Sequence, residues 1–541
     1  MKAIVILFCA GIFTASAAFA QFCDPPGEVV GTTQYPVQSS GSASNRIALD
    51  VLDGIHITWM SGSSSSDRNI KYNFRDETGQ WLSYDGIQVS EYNGAGYPSI
   101  ALGADNAAAI TYHNISRNYV NLAIDAFRGM GIFTFYDPPD QVPGGNRAFW
   151  PQIAISANGD IHLLMVEHTQ DPGIYPSMIY SRSTDGGTSW TAPEIVASVA
   201  LLNGCITASP DGKVGIVYLN PDMSGEYSQV KNDICYFKSG DGRSWDFSQP
   251  QCVTDYANDD LQIFCPWGID AVFDNDGDLQ ITWVTGHIDN DGYFIDEVTQ
   301  LWFYSEQTGY ITQIAESSDP VLDCTYGAVT LPISMPTISY FDFDTFNEIG
   351  IAYIGYDETD ASGAGECVGD IYMTFGIDNG NYWFGPTNIT ETHTPGCTAG
   401  NCQSENFTAT SEKMDFEDHL TYVMQKLGDI PDTIYYLPVE IPLPDGVSDD
   451  NRRPGLFSLN GNYPNPFNAR TTIEFELAKG SNVRLAVYDI TGALVEVLQD
   501  GYMEAGKQSV VWDASKVSSG AYFYRLASSD GFRIAKMLLL K

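Results

Sequence analysis

The chain has 541 residues, 43% apolar and 13% aromatic but only 17% charged, which is enough for several domains and a large buried core. Its 68 acidic residues against 26 basic ones give a formal net charge of −42. Such a surface repels nucleic-acid phosphates and anionic lipid, so a nucleic-acid partner is excluded. Lys is scarce, Gly and the aromatics are abundant, and no long amphipathic helical pattern is present. That mixture predicts an all-β chain of short strands joined by tight turns.

Residues 1–20 read as a signal peptide. Lys2 is the basic start, Ile4 to Phe13 the apolar stretch, and Ala18-Phe19-Ala20 a small-x-small cleavage site. The expected mature start is Gln21. The apolar run is too short for a membrane span, and no transmembrane segment is expected in the mature chain. Cys23 follows the bulky Phe22, so no lipid anchor is expected.

One phrase then recurs: an apolar strand, a turn with Gly, Asn or Asp, and a second strand ending on a large residue. It reads IALDVLDGIHITW to Trp59, IALGADNAAAITY to Tyr112, IAISANGDIHLLM to Met165 and ITASPDGKVGIVY to Tyr218, with looser copies ending at Trp283, Tyr353 and Tyr422. The first four endings are 53 residues apart, and the later gaps are 65, 70 and 69. Two further extended segments follow most copies, giving about four antiparallel strands per unit. One such sheet cannot hide both faces, whereas radial stacking of copies does. The expectation is a seven-bladed β-propeller over 21–442, with six or eight blades left open by insertions in the later copies. The last copy lacks a fourth strand, and GEVVGTTQY (27–35) is expected to complete it.

A shorter motif sits in the third and fourth copies. Ser183-Thr184-Asp185-Gly186-Gly187-Thr188-Ser189-Trp190 has a near copy at Ser239, Asp241, Gly242, Ser244 and Trp245, and a degenerate one at Asp76, Gly79 and Trp81. Asp accepts backbone N–H bonds across a hairpin turn, Gly takes positive φ, and Trp packs the turn onto its sheet. The motif resembles the Asp box, or BNR repeat, of the sialidase-like propeller superfamily. That resemblance implies a structural role for Ser183, Asp185, Gly187, Trp190, Asp241 and Trp245.

In a propeller, loops entering the innermost strands and loops leaving the second strands share one face around the channel mouth. Tyr97, Arg147, Trp150 and Trp267 precede inner strands, while His113, Glu167, His168, His287, Tyr356 and Asp357 follow second strands. Aromatic rings beside hydrogen-bonding groups suit a sugar or peptide, so Tyr97, His113, Arg147, Trp150, Trp267 and His287 are the ligand-binding candidates. Glu167, His168, Tyr356 and Asp357 are the candidates for acid–base or nucleophilic chemistry. The sialidase resemblance would imply three Arg from different blades gripping a carboxylate. No Arg occurs in the last three units, and Asn45-Arg46-Ile47 is the nearest relic of the F-R-I-P motif, so a true sialidase is disfavoured.

The turns at Asp274, Asp276 and Asp278 and at Asp289-Asn290-Asp291-Gly292 place oxygen ligands at alternate positions, as a short Ca²⁺ loop does; the first is the candidate metal site. The same letters also make good hairpin turns. Nine cysteines survive export. Cys397–Cys402 and Cys235–Cys252 are the expected disulfides, with Cys324–Cys367 and Cys205–Cys265 completing the pairs and Cys23 left over.

Residues 443–456 are polar and rich in Pro, Gly and Asp, and read as a linker. Beyond it, 457–541 alternates as half-buried strands do, in TTIEFEL and VRLAVYD for example, and predicts a small Ig-like sandwich. This stretch carries Tyr463–Asn468 (YPNPFN), the Val487–Gly492 turn, Trp512-Asp513, Ser519–Leu526 (SGAYFYRL) and Lys536–Lys541. It resembles the type A C-terminal sorting domain of the type IX secretion system. The resemblance implies the translocon and its sortase as partners, and delivery through the periplasm to the outer surface or the medium. The expected function is a surface or secreted propeller that binds a glycan, peptide or surface protein at the channel mouth. The alternative is a glycoside hydrolase or polysaccharide lyase of the sialidase-like superfamily.

Overall fold

The structure is a computed structural model. It describes residues 25–541 except 36, 40–44, 118, 170–175, 201–203, 222–231, 257–262, 265–267, 289–293, 318–330, 343–346, 378, 415–416, 429–430, 441–456, 478, 489–493 and 529–530. Among the described residues it is all β apart from 3₁₀ turns such as Ala514–Lys516, and no helix is long and apolar enough to cross a membrane. Cys23 and the proposed signal peptide lie outside the described residues.

Seven antiparallel sheets follow one another along 28–440, each a meander of neighbouring strands. Their innermost strands are Ile47–Leu49, Ala95–Leu102, Ala148–Ile155, Gly204–Ala208, Ile269–Phe273, Ile333–Asp342 and Ser404–Thr410. Each inner strand adjoins the next, and the seventh adjoins the first, so the ring closes around an axis. The seventh sheet takes its outermost strand from the start of the chain: Glu28–Thr33 pairs antiparallel with Asp432–Glu440, Glu28 opposite Tyr436 and Thr33 opposite Asp432.

The core sits between sheets rather than within them. Tyr72 and Phe74 of the first sheet pack with Ile100 and Tyr112 of the second. Tyr180 of the third meets Ile216 and Phe237 of the fourth. Trp59 of the first sheet joins Ile354 of the sixth and Tyr422 and Ile434 of the seventh in one cluster across the closure. Apolar area hidden this way stabilises by roughly 25 cal/mol per Å², and no sheet obtains it without both neighbours.

A repeated buried pair marks the second strands. His56, His162 and His419 each place Nδ1 against the hydroxyl of Tyr72, Tyr180 or Tyr436 on the third strand, at 2.7, 2.7 and 2.8 Å. Burial pulls His162 down to about 4, so it is neutral in the native state. Its share of stability is complete above the ordinary histidine range and is lost as pH falls from about 6.5 toward 4.

The hairpin turns are bound as their composition dictates. Asp185 Oδ1 accepts from the Ser189 N–H (2.8 Å), the Gly187 N–H donates to Ser183 Oγ (2.9 Å), and Trp190 Nε1 donates to the Gly187 carbonyl (3.0 Å). Gly187 has φ +89, and a Cβ there would press on Leu122 and Tyr136 of the preceding sheet. Asp241 repeats the arrangement, accepting from the Arg243 and Ser244 N–H groups, and Trp245 stacks on Phe247 at 5.1 Å. Trp190 is half-buried, so Trp190→Ala should cost about 2 kcal/mol, somewhat less than a fully buried aromatic. Chemical denaturation would read this, and an unchanged midpoint would remove the structural role.

Disulfides join Cys235 to Cys252 and Cys397 to Cys402, and Cys367 is disulfide-bonded. The expected Cys205–Cys265 bridge is corrected. Cys205 is a free, buried thiol packed with Ile269 and Ala271 of the next sheet, while Cys265 lies outside the described residues.

The candidate calcium loop is a hairpin turn. Asp274 is fully buried and acts within its own hairpin, Oδ1 accepting from the Asp278 N–H (2.8 Å) and Oδ2 from Gln280 Nε2 (2.8 Å). Among the described residues, no three His, Cys, Asp or Glu side chains gather to hold a metal. The Asp289–Gly292 turn lies outside them.

Residues 457–541 form a sandwich. Phe457–Tyr463, Arg470–Leu477 and Gly506–Asp513 make one sheet, and Ser481–Tyr488, Leu494–Met503, Gly520–Ser528 and Gly531–Leu539 make the other. Phe467, Phe475, Trp512, Tyr524 and Met537 fill the space between.

Candidate functional site

At the mouth end of four inner strands the backbone breaks register in the same way. Tyr97, Trp150, Met335 and Phe407 have φ of 54, 50, 51 and 51. Each lies in the bulge where pairing with the second strand skips, between Gly96 and Ser99, Phe149 and Gln152, Ser334 and Thr337, and Asn406 and Ala409. Bulky residues in the left-handed region cost roughly 1–3 kcal/mol each, and bulges re-aim side chains. Here the bulges turn Tyr97 and Trp150 toward the groups that end the second strands.

Those groups form one cluster. The rings of His113, Phe149 and His168 stack in a row, with centroids 4.6 Å apart at both steps. Trp150 meets both histidines edge-on at 5.7 Å, and Tyr97 lies 5.2 Å from His113. Arg68, from the loop after the second strand of the first sheet, closes the other side. Its Nη2 is 3.0 Å from His113 Nε2, its Nη1 donates to the Tyr35 hydroxyl at 3.0 Å, and its guanidinium lies 4.9 Å from the Tyr97 ring centre. Arg68 and His113 are buried, whereas Tyr35, Tyr97, Trp150 and His168 are half-buried and form the accessible rim.

The electrostatics follow from that packing. His113 Nδ1 faces the Trp150 N–H at 3.2 Å while Nε2 faces Arg68, and a neutral imidazole has only one acceptor nitrogen. Protonation would turn both contacts into donor against donor. Burial first, then the Arg68 and His168 charges, hold the His113 pKa well below the usual histidine range. Burial pushes the Tyr97 hydroxyl upward, with Tyr35 adding and Arg68 opposing.

The other candidates fare differently. Glu167 is buried and committed to its own loop: Oε1 accepts from the Asn146 N–H (2.7 Å) and Oε2 from the Ser177 N–H (3.2 Å). Burial acts against its charge, but these bonds outweigh it and hold the carboxyl below the ordinary range, which does not suit a proton donor. Arg147 is exposed and paired with Asp140 at 2.6 Å. Tyr356 stands apart on the sixth sheet, its hydroxyl donating to Asn406 Oδ1 at 2.6 Å. Trp267 and the side chains of His287 and Asp357 lie outside the described residues. Beside Tyr356, Asp370 accepts from Asn388, Thr390 and Thr392, and Glu405 is fully buried with its pKa raised, chiefly by burial. Glu405 is closed off in the wall, and the half-buried Asp370 is held by its neighbours' amide and hydroxyl donors, unlike a glycosidase pair facing a cleft.

Sequence reasoning missed Arg68, Tyr35 and Phe149. Arg68 lies seven residues beyond Ser61, where the second strand ends, too far along its loop for a search that stopped at the strand end. Its signal was that it leaves a second strand on the same face as His113.

Comparison with known proteins bears on the tail and on the fold of the remainder. Residues 462–541 match the family described as the secretion system C-terminal sorting domain, which implies export by that route to the surface or the medium. The remainder has the β-propeller fold. A polysaccharide lyase described as PL25-ulvanlyase is 11% identical, covering 77% of this chain and 96% of that one at a TM-score of 0.50. The polysaccharide lyase Uly1 is 13% identical over 78% of this chain and 94% of that one, at a TM-score of 0.46. No curated protein matches.

Proposed function

We propose that this is an exported, seven-bladed propeller with an Ig-like sorting domain, and that its mouth site binds and cleaves an acidic polysaccharide by β-elimination. One observation carries the reading. A buried guanidinium, Arg68, is ringed by a neutral imidazole and two tyrosines beside an aromatic rim. Elimination needs a cation or strong donor at a uronate carboxylate, to stabilise charge that develops when the neighbouring proton leaves. Arg68 supplies that charge. Tyr97 and His168 are the proton carriers on the rim, and Trp150 is the face on which a sugar ring stacks. The committed Glu167 and Asp370 and the enclosed Glu405 argue against two-carboxylate hydrolysis. The likeness to solved polysaccharide lyases is one of fold, and supports the reading only that far.

The test is to incubate the mature protein with acidic and neutral polysaccharides and follow ultraviolet absorbance of the unsaturated product. Absorbance growth with acidic chains, abolished in Tyr97→Phe, supports elimination. Retention of acidic chains without product reduces the site to a binding module, and indifference to every glycan sinks both readings.

For export, removal of 457–541 should leave the folded propeller in the periplasm, as fractionation with a propeller antibody would show. Normal surface delivery of the shortened chain would defeat the sorting role.

A further inference from the structure

The mouth cluster contains an arginine that no acid neutralises, and a second one stands on the same face. Of the eight arginines in the propeller, five sit against a carboxylate: Arg75 on Glu28, Arg128 on Asp50, Arg147 on Asp140, and Arg182 and Arg243 on Asp160. Arg46 is wholly enclosed and donates to the Phe407 carbonyl. That leaves Arg68 and Arg117, which have no ion pair among the described residues. Acids outnumber bases 68 to 26 in this chain, so an exposed arginine with no carboxylate on it calls for a reason.

Arg117 is held in place. Its guanidinium lies over the Tyr92 ring, 3.8 Å from the ring centre, and both side chains are exposed. Stacking fixes the guanidinium plane and leaves its edge N–H donors open to solvent. The two loops that carry the pair are locked by Asn114, a buried residue next to His113 at the end of a second strand. Asn114 Oδ1 accepts from the Ser116 and Arg117 N–H groups, both at 3.0 Å. Its Nδ2 donates to the Tyr92 and Asn93 carbonyls, both at 3.3 Å. The same loops are tied to the mouth arginine. The Gly94 N–H donates to the Arg68 carbonyl (2.8 Å), and the Ile115 N–H donates to the Gly94 carbonyl (2.9 Å). Two unneutralised guanidiniums therefore stand on adjoining loops of one face, in a fixed relation to each other.

We propose that the Arg117–Tyr92 pair is a second anion subsite, which takes a carboxylate or sulfate group on a further unit of the polysaccharide held at Arg68. This rests on the mouth reading and narrows it: the ligand is a chain with acid on more than one unit, not a lone acidic sugar in a neutral chain. The rest of the surface repels such a polyanion, so attraction has to come from the few cations not already neutralised. At 0.1 M salt that repulsion is screened beyond about 10 Å, while close guanidinium contacts persist.

The experiment is affinity electrophoresis of the full mature chain through gels carrying polygalacturonate, a carrageenan or dextran, which offer carboxylates, sulfates and no charge. Wild type, Arg117→Gln, Tyr92→Ala and Arg68→Met are compared. One polyanion should retard the wild type and thereby name the anionic group, and dextran should not. Arg117→Gln should weaken that retention about fivefold, the scale of one charge-assisted contact at a surface. Tyr92→Ala should act in the same direction, and melting curves should be unchanged because both side chains are exposed. Equal retention of wild type and Arg117→Gln overturns the subsite; loss of retention in Arg68→Met alone would then leave the mouth reading standing. Weakened retention in Arg117→Gln, with no unsaturated product from the wild type, upholds the subsite and removes the cleavage. A wild type retarded by neither polyanion, or as strongly by dextran, overturns the subsite, and the absorbance assay then decides the mouth by itself.

Discussion

A chain that starts after Thr33 should fail to give a cooperative melt. Glu28–Thr33 completes the backbone ladder of the seventh sheet and is stapled by side chains to the first. Arg75 grips Glu28 with Nε at 3.0 Å and Nη2 at 2.8 Å, Trp81 Nε1 donates to Glu28 Oε2 at 2.9 Å, and Asn73 Nδ2 donates to the Val30 carbonyl at 2.9 Å. Trp59 Nε1 reaches the Thr32 carbonyl at 3.2 Å. Without the strand, Trp59, Ile434 and Tyr436 lose their cover, and all three are almost wholly buried in the intact ring. Loss of one buried aromatic alone costs about 3–5 kcal/mol, a large part of the stability of a typical domain. Circular dichroism melts of the shortened chain would show a broad, early transition. A sharp transition at the full-length temperature would mean that the ring holds without its clasp. Trp59→Ala in the full chain provides the graded version, with an expected loss of about 4 kcal/mol.

The second large effect belongs to Arg68. Arg68→Met keeps the stem and removes the charge, and should lower turnover of an acidic polysaccharide by at least about 100-fold, the usual consequence of deleting a preorganised charge in a dry site. Arg68→Lys should recover little, because an ammonium cannot reach Tyr35, His113 and an incoming carboxylate at once. His113 also gains basicity in Arg68→Met, since one cause of its lowered pKa is removed. The pH profile should therefore shift at its acid limb, which a merely unfolded fraction would not produce. Wild-type rates in Arg68→Met with an unchanged melting curve would end the assignment.

A third expectation concerns pH and the channel carboxyls. Glu412 and Asp270 hold their protons to about pH 7 in the native state, while in the unfolded chain they release them near pH 4. Stability should therefore fall as pH rises from 4 to 7 and then level off. Glu412 is half-buried at the axial end of the seventh sheet and accepts from Asn45 Nδ2 at 2.8 Å; Glu412→Gln should be more stable than wild type at pH 8, by about 2 kcal/mol, and equal to it at pH 4. The amide keeps the Asn45 contact and can donate to Thr207. A variant less stable than wild type at pH 8 would show that the carboxylate is already compensated.

Much of the architecture was legible because it repeats. The 53-residue spacing of Trp59, Tyr112, Met165 and Tyr218 is the pitch of the sheets, and alternating strands with Gly turns leave few other folds that hide their faces. The sandwich was legible in its strict alternation, where Ile473, Phe475 and Leu477 point inward. The mouth was readable only in part. Tyr97, His113, Trp150 and His168 sit at repeat positions, so topology gathers them. Glu167 sits at one as well, but its hydrogen bonds depend on the path of the 140–147 loop, which no local pattern encodes. The disulfide guess at Cys205 failed for a similar reason. A strand residue's face is set by pairing register, and Cys205 faces the next sheet's apolar wall rather than another thiol.

The clasp also sets an order of events. The strand from Glu28 is among the first segments made, and its partner at Tyr436 is among the last before the sandwich. Sheets one to six can stack as they emerge, yet the wheel keeps a gap with two greasy flanks until nearly the whole chain is present. Pairing across some 400 residues is slow, so the nascent molecule remains an open arc for most of its biogenesis. Closure of the wheel is therefore the last step in building the propeller, and it waits on the 27–33 segment meeting a strand made near the end.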